Sequence, residues 1–302
     1  MIVREYPWEN PPSCSEERFY FDIETTGLSR ENHRIILIGL CSLTKSGGRI
    51  KQYFAEDPEE EREILQAFMD DIRGLSQSVS FNGIVFDIPF LDAAFRRCGL
   101  SFEMPKKDHQ DLLVLLRPLK NIWKWESLRL TEVEKQLGIS RKDTITGKDS
   151  LALYKEYLRD PRPAILHNIL LHNYEDVLHL PLLHEKIREK MFNRSHIFTL
   201  DGKELRTLLY EASHKGSTGR FRFLNLHSDF DLQYFYEDGS ALFTDRSFCT
   251  FSVLLQKGVG PEGTTLHYVE CEGEKLPLFL EKEVLEDNLF FLLGRKISEV
   301  SA

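Results

Sequence analysis

Two acidic residues, Asp22 and Glu24, are separated by one residue and directly follow the apolar run FYF at residues 19–21. Successive residues of a strand point to opposite faces, so both carboxylates point to the same face. Acids are rarely fully buried unless they are paired or bind a metal, and like charges repel unless a cation lies between them. Mg²⁺ takes carboxylate oxygens together with waters and substrate phosphates. The pair therefore predicts either a solvated strand end or part of a divalent-metal site.

Two further acids stand in patterns that fit the same chemistry. Asp87 lies at the start of a predicted helix in FNGIVFDIPFL, where it would also serve as a helix cap. Asp176 lies in the helical segment LLHNYEDVLHL, and His172, four residues earlier, shares its face. The alternative for that pair is a simple His–Asp hydrogen bond. Four carboxylates can hold two divalent ions for phosphodiester cleavage, and a nearby His or Tyr can orient the attacking water.

The elements that must position these residues follow an α/β pattern. Three strand patterns, RFYFDI, RIILIGLCSL and RIKQYFAED, predict an antiparallel meander. Helical patterns follow at about residues 58–73, 87–98, 111–138 and 163–191. From residue 195 onward, short aromatic and β-branched runs between glycines predict a small antiparallel β domain. We therefore expect a lead-in at 1–17, an α/β domain with a mixed sheet at 18–194 and a β-rich domain at 195–302.

Composition narrows the class of protein. The 302 residues, 41% of them hydrophobic, suffice for one large or two ordinary domains. A net charge of −9 argues against a wholly basic coat protein for nucleic acid, but not against a local basic surface. The five cysteines form no CxxC pair, which favours a reducing compartment. The N-terminal segment has no apolar signal core, and no run approaches the roughly 18 apolar residues of a membrane span. We expect a cytoplasmic protein.

Taken in order, the segments FDIETTGL, FNGIVFD and HNYEDV resemble the three motifs of the DEDD superfamily of 3′→5′ exonucleases, which have the ribonuclease H-like fold. Over about residues 18–190 the chain also resembles a bacterial family of ribonuclease H-like proteins, the YprB-like family. This resemblance extends through the segments HQDLLVLLRPL and LTEVEKQLGISRKDTITG. The resemblance implies a mixed five-stranded sheet flanked by helices. It also implies two Mg²⁺ or Mn²⁺ ions held by Asp22, Glu24, Asp87 and Asp176.

The same resemblance implies substrate contacts. Thr25, Thr26, Gly27 and Leu28 would form the loop that meets the terminal nucleotide, with Leu28 as a wedge against a base, and Asn82 would lie near the substrate.

The third motif departs from the family's better-known patterns. The His subfamily has its histidine five residues before the last acid, whereas His172 stands four before Asp176, where the Tyr subfamily has a tyrosine. We expect His172 to orient the water, with Tyr174 as the second candidate.

The sequence thus predicts a metal-dependent 3′→5′ exonuclease that acts on single-stranded 3′ ends of DNA or RNA. One alternative is a ribonuclease H-like endonuclease on RNA–DNA hybrids, and another is a non-catalytic nucleic-acid-binding module on the same fold. Elsewhere, the cation-rich segment at 117–129 contains Trp123 and Trp125. This segment fits either the stacking of unpaired bases or an amphipathic helix with tryptophan in its core.

Overall fold

The computed structural model describes residues 1–8, 11–12, 17–45, 47–75, 77–200, 202–227 and 231–300. The chain divides into two compact units, one made of Met1–Arg117 and Glu126–Ile187 and the other of Pro118–Trp125 and Arg188–Ala302. Cys14 lies outside the described residues, and the other four cysteines are free thiols. Within the described ranges, none of the helices combines the length and the apolar character needed to cross a membrane.

A six-stranded mixed sheet forms the centre of the first unit. Its strands are β1 (Ile2–Trp8), β2 (Arg18–Thr25), β3 (Ile35–Thr44), β4 (Gly47–Phe54), β5 (Gln77–Ser80) and β6 (His109–Asp111). They lie in the order β1-β4-β3-β2-β5-β6, and β2 pairs antiparallel with β3 but parallel with β5. The predicted five-stranded mixed sheet is confirmed as β2–β6, with β1 added at the edge.

The N-terminal segment differs from the predicted lead-in, because residues 2–8 form β1 and pair antiparallel with β4. The strand shows only a weak inward pattern, with Ile2, Tyr6 and Trp8 half-buried. Pro7 also argues against a strand in the sequence, although an edge strand tolerates proline because one side of its backbone is unpaired. Residues 9–10 and 13–16 of the same segment lie outside the described residues.

In the described ranges, six α-helices accompany this sheet, and a short 3-10 helix, Pro58–Glu60, precedes the first of them. The α-helices are α1 (Glu61–Ile72), α2 (Asp87–Arg97), α3 (Leu112–Ile122), α4 (Leu130–Gln136), α5 (Gly147–Tyr157) and α6 (Pro163–Asn193). One core cluster joins Phe19 of β2 to Phe68 of α1 and Phe95 of α2. The single helical stretch predicted near 111–138 is instead two helices, and Lys124 between them has a left-handed φ of 56°. That conformation is incompatible with a continuous right-handed helix.

The second unit contains the predicted antiparallel β-rich domain. Its first sheet comprises β7 (His196–Leu200), β8 (Lys203–Lys215), β9 (Thr218–His227), β10 (Leu232–Phe235), β11 (Ala241–Thr244) and β12 (Phe248–Leu254), in the order β10-β11-β12-β9-β8-β7. Its second sheet comprises β13 (Gln256–Val259), β14 (Thr265–Cys271), β15 (Glu274–Leu280) and β16 (Glu283–Val284), and α7 (Glu286–Val300) ends the described chain.

The tryptophans of the second unit are part of its packing. Trp123 and Trp125 are both buried, with ring centroids 5.0 Å apart, and the ammonium of Lys190 lies 5.3 Å from the Trp123 ring. Buried rings cannot stack on a passing base, so the structure supports the core role for these residues rather than base stacking.

Candidate active site

The two faces of β2 have different roles. Phe19 and the other odd-numbered residues that follow it are buried in the core with α1 and α2. Asp22 and Glu24 alternate with them and therefore lie on the other face. Tyr20 shares that face, and its hydroxyl is 3.0 Å from Nδ1 of His184 on α6. The acids of β2 therefore project to the side of the sheet on which α6 packs.

Helix α6 brings three side chains to these acids. One ligand atom from each of Glu24, His172 and Asp176 lies within 4.8 Å of the other two. Nε2 of His172 is 3.5 Å from Oε1 of Glu24 and 3.7 Å from Oδ2 of Asp176. Nδ2 of Asn173 donates a hydrogen bond of 3.1 Å to Oδ2 of Asp22. Both acids of β2 are thus in contact with the same stretch of α6.

Gly39 of β3 allows α6 to approach the sheet this closely. It lies opposite Asp22 in the β2–β3 ladder, and a Cβ at this position would be 2.5 Å from Oδ1 of Asn173 and 2.6 Å from Cγ1 of Val177. Oδ1 of Asn173 also accepts a 2.9 Å hydrogen bond from Nε2 of Gln52, which fixes the amide with its NH₂ group toward Asp22.

We expect Gly39→Ala to lower the free energy of unfolding by about 1–3 kcal/mol, because the added methyl group overpacks the contact between β3 and α6. Urea denaturation would measure this change. Gly147→Ala is the matched control, since a Cβ there meets nothing within 4 Å, and alanine is the better helix former. Unchanged stability of Gly39→Ala would contradict this account of the close approach.

Asp87 reaches the site from the first residue of α2. It is buried, and its Oδ1 accepts a 3.2 Å hydrogen bond from the backbone nitrogen of Ile23, the residue between the two acids of β2. It does not belong to the closest group of three ligand atoms. It lies close enough to Asp22 for its charge to raise the pKa of that residue.

A tight turn leads from β5 into α2. Asn82 has a φ of 71°, in the left-handed region where asparagine is enriched. Gly83 has no room for a side chain, because a Cβ would run into Oγ of Ser80. Oδ1 of Asp111 accepts a 2.9 Å hydrogen bond from the backbone nitrogen of Asn82. These contacts fix the turn, while the predicted contact of Asn82 with substrate stays a prediction.

The loop after β2 is held by its threonines and carries an exposed leucine. Oγ1 of Thr25 donates a 2.8 Å hydrogen bond to the carbonyl of Gly27, and Oγ1 of Thr26 accepts one of 2.9 Å from the backbone nitrogen of Arg34. Leu28 is 86% exposed. A leucine this exposed contributes little to the core and is free to contact a ligand.

The residues at 141–143, which the sequence motifs did not single out, complete the site. Nη2 of Arg141 donates a 2.7 Å hydrogen bond to Oδ1 of Asp176, and Oδ2 of Asp143 is 2.6 Å from Nδ1 of His172. The backbone nitrogen of Asp143 donates a 2.7 Å hydrogen bond to Oε2 of Glu175. Three side chains of α6 therefore hold this loop segment, which places a cation and a further acid beside the predicted residues.

Tyr174 lies on another face of α6. Its ring packs edge-on against Tyr6 of β1, with centroids 4.9 Å apart. His172, in contrast, is within reach of two acids of the site. The geometry therefore favours His172 over Tyr174 as the residue that meets a water bound there.

The carboxylates raise one another's pKa values. Burial raises the pKa of Asp22 well above its ordinary value, and the charges of Asp176, Asp87 and Glu24 raise it further. Burial also raises the pKa of Glu24 to about 7 and that of Asp87 to about 7. It raises the pKa of Asp176 as well, against the effect of its cationic neighbours. Burial opposes protonation of His172, but nearby acids raise its pKa overall. A cation among these groups would stabilise all the anions.

The donor atoms fit a hard divalent cation. Carboxylate oxygens dominate the set and no thiolate contributes, which suits Mg²⁺ or Mn²⁺ and not a structural zinc site. Within the described part of the chain, Glu24, His172 and Asp176 are the one group of three His, Cys, Asp or Glu side chains close enough to share an ion. Asp22 and Asp87 lie outside this group but border it, Asp22 through its contact with Asn173 and Asp87 through its contact with the backbone of Ile23.

Residues 19–188 match a family described as the RNase_H superfamily. The chain is 30% identical over 182 residues to the uncharacterized protein YprB of Bacillus subtilis (strain 168), an alignment that covers 59% of this chain and 43% of that relative. The chain thus spans less than half of the relative's length.

Two solved structures show partial similarity to the chain. The family B DNA polymerase from the hyperthermophilic archaeon Pyrobaculum calidifontis is 15% identical, with a TM-score of 0.47 over 61% of this chain and 25% of the polymerase chain. Brucella melitensis NrnC bound to pGG is 17% identical, with a TM-score of 0.40 over 59% of this chain and 74% of NrnC.

Proposed function

Because the chain belongs to the RNase H superfamily, we propose that it is a divalent-metal-dependent 3′→5′ exonuclease that hydrolyses phosphodiester bonds of DNA or RNA. The observation that carries the proposal is the convergence of four acids from three separate elements, together with His172. These acids are Asp22 and Glu24 of β2, Asp87 of α2 and Asp176 of α6. Burial raises the pKa values of all four acids, and for Asp22, Glu24 and Asp87 neighbouring acids raise them further. This cost is explained if the site exists to bind cations.

The four acids would hold two Mg²⁺ or Mn²⁺ ions. When bound, such ions neutralise the scissile phosphate and stabilise the attacking and leaving oxygens. His172 acts on the attacking water. Its Nδ1 lies 2.6 Å from the carboxylate of Asp143, which keeps a proton on Nδ1, and its Nε2 faces Glu24 and Asp176. Those acids raise the pKa of His172, and cations bound among them would lower it again, so that Nε2 of the neutral ring could accept a hydrogen bond. A water beside those acids would donate its hydrogen bond to Nε2.

Substrate contacts are assigned to the two loops that border the acids. Leu28 would insert against the terminal base, and Thr25, Thr26 and Gly27 would keep its loop in place. Asn82, in the fixed turn before Asp87, would contact the sugar or phosphate. The preferred partner is a single-stranded 3′ end, and this polarity follows from the resemblance of the three motifs.

The Asp143→Asn variant is expected to lower kcat about 10–100-fold with KM changed less than twofold, because it weakens the orientation of His172 without touching substrate. Steady-state kinetics on a labelled oligonucleotide would measure both constants. Asp143→Glu, which keeps the charge, should restore part of kcat, and the exposed Asp160→Asn is the matched control. A rise in KM with unchanged kcat would show that Asp143 has a different role.

The proposed function is tested with 5′-labelled single-stranded DNA and RNA, each incubated with Mg²⁺, Mn²⁺ or EDTA. A metal-dependent ladder that shortens from the 3′ end, and that is absent with Asp22→Asn, supports the exonuclease and identifies its preferred sugar. Internal cleavage confined to RNA–DNA hybrids would replace it with the endonuclease. Binding of strands without cleavage under any metal would leave the non-catalytic module.

A further inference from the structure

A cavity of about 830 Å³ lies along α2 in the first unit, within the usual size range of ligand sites. Part of its lining is apolar and consists of Ile84, Ile88, Pro89 and Ala93. Ile84 is 48% exposed, so its side chain is accessible to a ligand in the cavity. An apolar wall of this kind suits the flat face of a nucleobase.

The cavity begins beside Asp87, one of the acids of the candidate site. Ile88 immediately follows Asp87, and Ile88, Asp92 and Arg96 are spaced four residues apart, so they form one stripe along α2. Eight residues of helix from Ile88 to Arg96 span about 12 Å. The cavity therefore leads from the turn that carries Asp87 toward Arg96.

Arg96 gives the far end of the cavity an uncompensated positive charge. Lys106 lies 2.7 Å from a carboxylate oxygen of Asp92, and Arg30 lies 3.0 Å from one of Glu31, so these cavity residues neutralise each other. Within the described ranges, the side chain of Arg96 has no ion-pair or hydrogen-bond partner. A guanidinium of this kind suits a phosphate, which it can bind through two parallel hydrogen bonds.

We propose that this cavity binds the second nucleotide from the cleaved end of the strand. Its base lies against Ile84 and Pro89, and the phosphate on its 5′ side is bound by Arg96. This assignment rests on the proposed function. It predicts that a third nucleotide, which supplies that phosphate, strengthens binding through Arg96.

Calorimetric titration with the thymidine dinucleotide dTpT and trinucleotide dTpTpT tests the assignment. All proteins carry Asp22→Asn, so that bound strands are not degraded, and Mg²⁺ is present. The parent is expected to bind the trinucleotide about tenfold more tightly than the dinucleotide, since hydrogen bonds to a charged group contribute this much. Arg96→Glu should abolish the difference. Arg73→Glu, an equal charge change at an exposed arginine on α1's C-terminal cap, should retain it.

Three results would overturn the assignment: a parent that binds neither strand, a parent that binds both equally, or an Arg96→Glu protein that keeps the preference. The cleavage assay separates this proposal from the proposed function. If Arg96→Glu loses the preference while the unsubstituted protein cleaves no strand with any metal, then the cavity is a nucleotide site and the nuclease proposal fails.

Discussion

Asp22→Asn is expected to reduce nuclease activity by about 10³-fold or more and, at the same time, to stabilise the protein in EDTA. The activity falls because the amide cannot serve as an anionic ligand for the ions that stabilise the reacting oxygens. The stability rises because the pKa of Asp22 is raised by burial and by three neighbouring acids, so its anion disfavours the folded state at neutral pH. The amide oxygen of the variant can still accept the hydrogen bond from Asn173.

The sign of the pH dependence follows from the direction of these shifts. Asp22, Glu24 and Asp87 all have pKa values raised on folding, the last two to about 7. A raised pKa means that the folded protein binds these protons more tightly than the unfolded chain does. The resulting stabilisation is complete below the pKa values of the unfolded chain, and it is lost as pH rises through the pKa values of the folded protein. In EDTA, the free energy of unfolding should therefore fall between about pH 4 and pH 8.

Urea denaturation across this pH range would measure the effect. We expect a shallower fall for Asp22→Asn than for the unsubstituted protein, and the same fall for the exposed control Asp160→Asn. Added Mn²⁺ should stabilise the unsubstituted protein more than Asp22→Asn, since a ligand that binds only the folded state adds its binding free energy. A variant that is inactive but no more stable in EDTA would contradict the account of mutual repulsion.

The acids of the site were predictable because local periodicity fixes them. Alternation along a strand puts Asp22 and Glu24 on one face, and the spacing of four residues puts His172 beside Asp176. Both relations depend on neighbours in the sequence and on nothing else. The structure also brings Glu24 of β2 close to His172 and Asp176 of α6, a contact between distant elements that these local patterns do not imply. The roles assigned to them in catalysis stay proposals.

The partners of those residues were not predictable, because they lie far away in the sequence. Asp143 is 29 residues from His172, and Arg141 is 35 residues from Asp176. They lie within LTEVEKQLGISRKDTITG, which resembles the family, but this segment has no periodic pattern that would mark individual residues, so only the packing of the whole unit reveals their partners. The edge strand β1 was missed for a related reason. Its partner β4 lies far along the sequence, with Ile2 opposite Phe54. As an edge strand it leaves one side of its backbone unpaired, and its sequence carries little hydrophobic alternation.

Arg141→Met is expected to lower the free energy of unfolding in EDTA by about 3 kcal/mol or more. Arg141 is nearly buried and lies 3.0 Å from Glu134, which is wholly inaccessible, and 2.7 Å from Asp176. Methionine fills a similar volume but supplies no charge or hydrogen bond, so both carboxylates lose their cation. Among the described residues, the remaining side-chain contact of Glu134 is the one of 3.0 Å with Nδ1 of His179. Arg162→Met is the control, because Arg162 forms an exposed ion pair. It should lower the free energy of unfolding by about 0.5 kcal/mol or less.

A double-mutant cycle with Glu134→Gln separates the loss of charge pairing from the loss of packing. The double variant removes the buried acid together with its cation, so it should be more stable than Arg141→Met alone. The cycle should give a coupling energy of about 1–3 kcal/mol between Arg141 and Glu134. Mn²⁺ should recover a further part of the stability, because an ion can replace the guanidinium beside Asp176 but cannot replace it beside Glu134. The opposite outcome is that the decreases in the free energy of unfolding simply add and the double variant is no more stable than Arg141→Met. That result would mean that Arg141 stabilises the fold through its packing and not as the cation that these acids require.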